Sequence, residues 1–255
     1  MKKSKRPVRL WAVCVWILCW QGAAMAMAAA YPAGHLLLAS PLSALLRLTE
    51  LIRTGDFWAA VGTSAVHIFG GFAVSCVLAV ALAALSARFS PVRELIAPVA
   101  AAVKAVPVVS FIILALVWVD GGSLSLLISG LMAFPPIYGN VLTGIAQTDR
   151  QLLEMARVFR VPWRRQLWGV WVPAVLPYFR SAVSLAIGLC WKSGVAAEVI
   201  GLRTGTVGER LYAAKVYFQT ADLFAWTAVI VALSVVMERL VLRGVDTLAG
   251  KVGIR

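Results

Sequence analysis

The chain is divided near its middle by the polar sequence TDRQLLEMARVFRVPWRR, which runs from Thr148 to Arg165 between long apolar segments. The charged residues Arg150, Glu154 and Arg157 lie on one side of a helix built from this sequence, at spacings that allow ion pairs. The pattern therefore predicts a short amphipathic helix. Its apolar face is formed by four residues at i, i+3, i+4 and i+7: Leu152, Met155, Ala156 and Phe159.

Both ends of this helix carry boundary signals. Thr148 followed by Gln151 has the spacing of a capping box at the start of a helix. Val161 precedes Pro162 and is biased away from helical backbone angles, so we expect the helix to stop there. An amphipathic helix between two membrane spans is suited to bind a soluble partner, although a solvated loop helix without a partner would show the same pattern.

The composition is that of a membrane protein. The 255 residues are 61% hydrophobic and 14% charged, and several segments approach or exceed the roughly 18 consecutive apolar residues that a membrane-spanning helix needs. A soluble globular domain does not need so much apolar surface. We therefore expect an all-α membrane protein, a bundle of about six transmembrane helices with the amphipathic helix between the fourth and the fifth.

The apolar runs and the breaks between them place the spans. Pro98 and Pro107 fall inside the third span and are expected to kink it. A short surface helix is expected over Leu42–Ile52, and a polar loop over Gly201–Thr220. The six spans run over Leu10–Ala30, Trp58–Leu85, Glu94–Val119, Ser123–Ala146, from between Pro173 and Pro177 to Ile200, and Leu223–Leu242.

The first span has two interpretations. Its basic start, short apolar core and small residues from Ala24 to Ala28 are typical of a cleavable signal peptide. The apolar run continues through the expected cleavage region, which favours a retained helix.

The charges fix the orientation. With six spans, both termini lie on one side together with the Glu154 region, and that side holds sixteen lysines and arginines against five on the other. We expect the protein to lie in the inner membrane of the cell. The positive-inside rule then places both termini and the amphipathic helix on the cytoplasmic side. The net charge of +13 is explained by this orientation, and no nucleic-acid partner is needed.

No residue pattern predicts a cofactor or a metal. The four cysteines form no CxxC pair, and His35 and His67 lack the spacing of metal ligands. No GxxxxGK[ST] phosphate loop is present in the sequence, so we expect no ATP binding through that motif. We expect no catalytic site on this chain.

Three motifs together resemble the permeases of ABC importers. Glu154-Met155-Ala156, followed by Leu176-Pro177, resembles the signature of that family. The sequences FPPIYGN from Phe134 and WKSGVAAEVIG from Trp191 resemble the subfamily that handles nitrate, sulfonates, taurine and related small solutes. Two residues depart from the signature, because Met155 replaces an alanine and Arg160 stands where the family usually has a glycine. We expect Pro162 to set the turn that this glycine would otherwise allow.

The resemblance implies a division of the chain and a set of partners. Residues 1–55 would form an N-terminal transmembrane helix and an outer connecting segment, 56–243 the type-I transmembrane domain, and 244–255 a basic cytoplasmic tail. The partners would be a cytoplasmic ABC ATPase, an extracytoplasmic solute-binding protein, a second copy of the chain and the lipid bilayer. The amphipathic helix would be the coupling helix, and its contacts with the ATPase would come from Leu152, Glu154, Met155, Ala156, Arg157, Phe159 and Arg160.

Three residues near the end of the fifth span are candidates for the translocation path: Lys192, Ser193 and Glu198. An ionisable group within a span is a functional candidate by default, and a cation there would suit an anionic solute. Lys192 could instead extend its side chain to the outer interface, and Glu198 could be an interfacial carboxylate. Two other classes of function stay open at this point, a secondary carrier or channel that works alone and a membrane scaffold that recruits a cytosolic protein.

Overall fold

A computed structural model describes residues 10–31 and 34–251 of the chain. The basic residues at the N-terminus and the last four residues lie outside these ranges. All regular secondary structure within them is helical. The helices are α1 Leu10–Ala30, α2 Gly34–Leu37, α3 Pro41–Leu51, α4 Gly55–Arg88, α5 Ser90–Ala105, α6 Val108–Ala115, α7 Gly121–Ala146, α8 Arg150–Val158, α9 Trp163–Gln166, a π-helical segment Leu167–Trp171, α10 Val172–Ile200, α11 Val207–Val216 and α12 Thr220–Lys251.

Five stretches of helix are long and apolar enough to cross a membrane, and α5 with α6 would make a sixth if the two are counted as one span. This confirms the polytopic helical fold. The expected bend at Pro107 is present, and it breaks the span into α5 and α6, which meet at an angle of 106°, whereas Pro98 lies inside α5. Val106 is extended (φ −84°, ψ 134°) and Pro107 caps α6, as expected of a residue that precedes a proline.

Three further boundaries differ from the sequence prediction. The polar segment after α10 contains a helix, α11, whose start is capped by the Thr206 hydroxyl. The fifth span is longer than expected, because α9 and the π-helical segment continue directly into α10. The last span continues as helix to Lys251, so residues 244–251 of the expected tail extend α12.

The core is formed by α7, which packs between α4 and α10. Glycines let the backbones approach closely at these contacts. A side chain at Gly71 of α4 would collide with the backbone carbonyl of Leu126 on α7, and one at Gly144 would lie 3.1 Å from the Cα of Val175 on α10. The helix α7 is therefore held closely on both sides, with no room for a side chain at Gly71 and little room for one at Gly144.

Ion pairs attach α3 and α12 to this core. Arg47 of α3 binds Asp222 at the start of α12, and its Nη2 donates to the Oδ2 of Asp222 at 3.2 Å. The hydrogen bonds that Arg47 donates, first to Asp222 and second to Glu50, raise the pKa of Arg47 above its ordinary value. Arg180 of α10 donates two hydrogen bonds, of 2.7 and 3.0 Å, to Asp246 of α12. Arg180, a charged residue within the fifth span, is thus paired with a carboxylate.

The bundle has two ends that are distinguished by their short helices. Since α7 and α10 run in opposite directions, α8 lies at the end where α7 stops and α11 lies at the end where α10 stops. Asp56 at the start of α4 is 3.5 Å from Arg210 of α11, so α4 also begins at the α11 end.

A buried carboxylate joins three helices at the α11 end. Glu198 of α10 is 1% exposed, and its Oε2 accepts hydrogen bonds from the Ser64 hydroxyl of α4 (2.8 Å) and the Gly208 N–H of α11 (3.1 Å). The Ser64 hydroxyl oxygen in turn accepts the N–H of Val207 at 2.9 Å. A side chain at Gly208 would collide with Glu198. The first turn of α11, whose N–H groups have no partner within the helix, is satisfied in this way.

We predict that Ser64→Ala destabilises the protein by about 1–3 kcal/mol, because it leaves a buried N–H and part of a buried carboxylate without a partner. The measurement is thermal unfolding of the purified protein in detergent. Thr63→Ala is the matched control, since the Thr63 hydroxyl is exposed and donates only to Ala59 of its own helix. Equal melting temperatures for the two variants would contradict this role of Ser64.

Candidate coupling helix and translocation face

The start of α8 is fixed by two side chains. Asp149, and not Thr148 as predicted, is the cap, because its carboxylate accepts the N–H of Gln151 at 2.8 Å. The Thr148 hydroxyl instead donates to the Gly144 carbonyl of α7 at 3.2 Å. The predicted capping box is therefore replaced by an aspartate cap and a link to the preceding helix. The carboxylate also lies at the end of α8 where the helix dipole favours negative charge.

The end of α8 has the hydrogen bonds of a Schellman motif. The Val161 N–H donates to the Ala156 carbonyl at 2.9 Å, and the Arg160 N–H donates to the Arg157 carbonyl at 3.1 Å. Arg160 itself takes the left-handed conformation, with φ +49°. The turn expected from Pro162 is thus made by Arg160, in the position where the family usually has a glycine.

The surface of α8 that faces away from the bundle combines exposed apolar side chains with an exposed carboxylate. Met155, Val158 and Phe159 are 49%, 78% and 73% exposed, whereas Ala156 is 2% exposed and packs toward the protein. Glu154 is exposed and forms no ion pair with another described residue. The pairs that its spacing allowed are therefore not formed, and its carboxylate is free to meet a partner.

The sequence prediction missed Val158 in this surface and assigned Ala156 to it. The signal was available in part, since Val158 follows Met155 by three residues and Glu154 by four, which is the spacing of neighbours on a helix. The spacing of residues along a helix does not show which side the bundle covers. The predicted apolar face therefore included the buried Ala156 and left out the exposed Val158.

The chain after α8 returns to the core without a flexible connection. The Gln166 side chain of α9 donates to the Val161 carbonyl at 2.7 Å, which ties the turn after α8 to the next helix. From Trp163 to Ile200 the chain is helical throughout. A displacement of α8 would therefore be transmitted to α7 through Gly144 and to α10 through α9.

The three candidate path residues point in different directions. Lys192 is exposed on α10 and forms no ion pair with a described residue. The Ser193 hydroxyl is buried and donates to the carbonyls of Leu189 (2.8 Å) and Cys190 (3.3 Å) of its own helix. Glu198 lies inside the bundle and not at its surface. Of the three, only Lys192 presents a charge that a solute can reach.

Lys192 lies on an open face of α10. Ser181, Leu185 and Lys192 are exposed and occupy one side of the helix. Ala196, one turn beyond Lys192 on that side, packs against the cluster that contains Ile112 of α6. The open face therefore ends about one turn of α10 before the contact with α6. We call Ser181, Leu185 and Lys192 the open face of α10.

A second unpaired lysine lies beside α7. The Lys104 ammonium, in the last turn of α5, is 4.0 Å from the position that a Cβ would occupy at Gly139. Lys104 is exposed and forms no ion pair with a described residue. Asn140 and Thr143 follow Gly139 on α7 and are not buried. Lys104 on α5 and Lys192 on α10 are thus two accessible cations that form no ion pair with a described residue.

Comparison with known proteins agrees with this arrangement. The family model described as "Binding-protein-dependent transport system inner membrane component" matches residues 77–245. A Bacillus subtilis (strain 168) protein named as an aliphatic sulfonates transport permease is 32% identical over 190 residues, which cover 74% of this chain and 68% of the relative.

Two further relatives carry other solutes in their names. The bicarbonate transport system permease protein of Synechococcus elongatus is 24% identical over 73% of this chain and 67% of the relative. The riboflavin transport system permease protein of Chloroflexus aurantiacus is 28% identical over 84% of this chain and 81% of the relative. The named solutes differ widely in size and charge, while the permease role is shared.

The matched region begins within α4 and ends within α12, so it contains α7, α8 and α10 with its open face, and the second part of α4. The predicted resemblance is confirmed. The chain is a multi-pass membrane protein, and it belongs to the family of binding-protein-dependent transport system inner membrane components, as a permease subunit of an ABC importer.

Proposed function

We propose that α8 is the coupling helix of this permease and binds a separate cytoplasmic ATPase subunit. The observation that carries the proposal is a rigid helix, fixed at both ends, whose outward surface is apolar although it faces away from the bundle. Exposed apolar residues beside an unpaired carboxylate are suited to a protein interface. This role places the α8 end and both termini in the cytoplasm, and the α11 end toward an extracytoplasmic binding protein.

The translocation path runs along the open face of α10, completed by a second copy of the chain. Two accessible lysines without carboxylate partners make this face electropositive, which favours a small anionic solute. Lys192 is the residue that contacts the solute directly.

We predict that Met155→Asp weakens binding of the ATPase subunit, because it puts a charge where the interface is apolar. The measurement is the amount of ATPase subunit that co-purifies with the permease in detergent. Met155→Leu is the control and should retain the partner, since it keeps the apolar volume. Equal recovery with Asp and Leu at this position would contradict docking through α8.

We predict that Arg160→Gly stabilises the protein by about 1 kcal/mol, because a non-glycine residue in the left-handed conformation costs roughly 1–2 kcal/mol. Arg160→Val should be destabilising, since a β-branched side chain fits this conformation poorly. Thermal unfolding of the two variants tests this. Arg160→Asn is the control that removes the charge and tolerates the conformation. If the valine variant melts as high as the glycine variant, Arg160 does not make the turn.

We predict that Lys192→Met raises the KM for uptake of a sulfonate about tenfold or more, because a hydrogen bond to a charged group contributes roughly 1.5–3 kcal/mol. The measurement is ATP-driven uptake in vesicles that contain the permease, the ATPase and the binding protein. Lys192→Arg should retain most of the activity. Unchanged uptake of every anion tested with Lys192→Met would remove this residue from the path.

A further inference from the structure

An apolar cavity of about 500 Å³ lies at the α8 end of the bundle. Val80 and Ala84 of α4 form one wall, Val141 and Ile145 of α7 form the floor, and Phe179 of α10 belongs to the opposite wall. Its volume is within the range of about 300–1,000 Å³ that is typical of small-molecule sites. The inner part of α4 therefore diverges from α10 and leaves room for an apolar group.

The mouth of this cavity is cationic. Arg88, at the end of α4, is the only charged residue among the described residues that line the cavity. On the other side, α9 begins with Trp163, which lines the cavity, and continues with the exposed Arg164 and Arg165. None of these three arginines forms an ion pair with a described residue. An apolar interior with one unpaired guanidinium group in its lining, and two more on the residues that follow its lining residue Trp163, suits an anionic amphiphile.

The wall opposite α4 is irregular and incompletely satisfied. Leu167–Trp171 is π-helical, an arrangement that often occurs at functional sites. The indole N–H of Trp171, a lining residue, is buried and has no hydrogen-bond acceptor within the described part of the chain. A buried donor without an acceptor is costly, so an ester or phosphate oxygen brought into this wall would stabilise it.

We infer that this cavity binds one acyl chain of an anionic phospholipid, with the phosphate held between Arg88 and the arginines of α9. The inference rests on the proposed function only for the orientation, which puts the cavity at the level of the inner leaflet. Basic clusters on the cytoplasmic side of membrane helices favour anionic lipids. The bound chain lies between α4 and the segment that connects α8 to α10, and so it supports the separation of these helices.

The test is native mass spectrometry of the permease in detergent, with phosphatidylglycerol and phosphatidylcholine of equal chain length as probes. Wild-type protein should retain phosphatidylglycerol in preference to phosphatidylcholine. Ala84→Phe fills the cavity and Arg88→Gln removes a charge from its mouth, and each should lower the retention of phosphatidylglycerol roughly tenfold. Val80→Phe, from the same wall, is the second filling variant if Ala84→Phe does not fold.

Matched controls separate the cavity from the rest of the surface. Ala81→Phe and Arg93→Gln change exposed residues that do not line the cavity, and both should retain the lipid as the wild type does. Equal retention of the two lipids would overturn the selection of an anionic headgroup. Undiminished retention in both filling variants would overturn the site itself, because the lipid would then lie elsewhere.

The lipid measurement needs no ATPase, binding protein or solute. If the wild-type permease shows no ATP-driven uptake while the filling variants lose phosphatidylglycerol, the proposed function is wrong and the lipid site stands. If uptake is retained and lipid retention is unaffected by the variants, the lipid site is wrong and the proposed function stands.

Discussion

The close backbone contact of α7 with its two neighbours is the constraint on which the rest of the structure depends. A side chain at Gly71 would collide with the backbone of α7, and one at Gly144 would lie within 3.0–3.2 Å of atoms of α10. Packed helices of this kind shift as units and do not bend gradually. Because α8 follows α7 and leads into α10 through α9, it is attached to both sides of this contact. A force applied to α8 therefore reaches the two helices that form the core.

The polar groups within the bundle divide into structural and accessible ones. Glu198 joins α4, α10 and α11 through the hydrogen bonds that its Oε2 accepts, and Arg180 is paired with Asp246. Lys104 and Lys192 have no such partners among the described residues. Charges in a membrane protein are costly unless they are paired, face water or serve a function. Under the proposed function, these two unpaired lysines are the candidates for recognition of the solute.

The sequence was sufficient for the fold class, most of the spans and the position of the amphipathic helix, because apolar runs and helical spacing are local properties. It was insufficient where the outcome depends on neighbours. Pro107 predicted a kink, but the 106° angle depends on what α6 packs against. Glu198 could be placed on the fifth span from the sequence, but its burial could not. The burial depends on Ser64, which is 134 residues away, and on Gly208, which follows the turn after α10. Likewise, Arg160 was identified as the unusual residue of the signature, while its left-handed conformation required the coordinates.

The role of α8 is tested most directly by labelling Val158→Cys with a membrane-impermeant maleimide in oriented vesicles, with and without the ATPase subunit. We expect labelling in inside-out vesicles only, and protection of the cysteine when the ATPase subunit is bound. Labelling from the outer side, or unchanged labelling in the presence of a bound ATPase, would show that the coupling surface is not on α8.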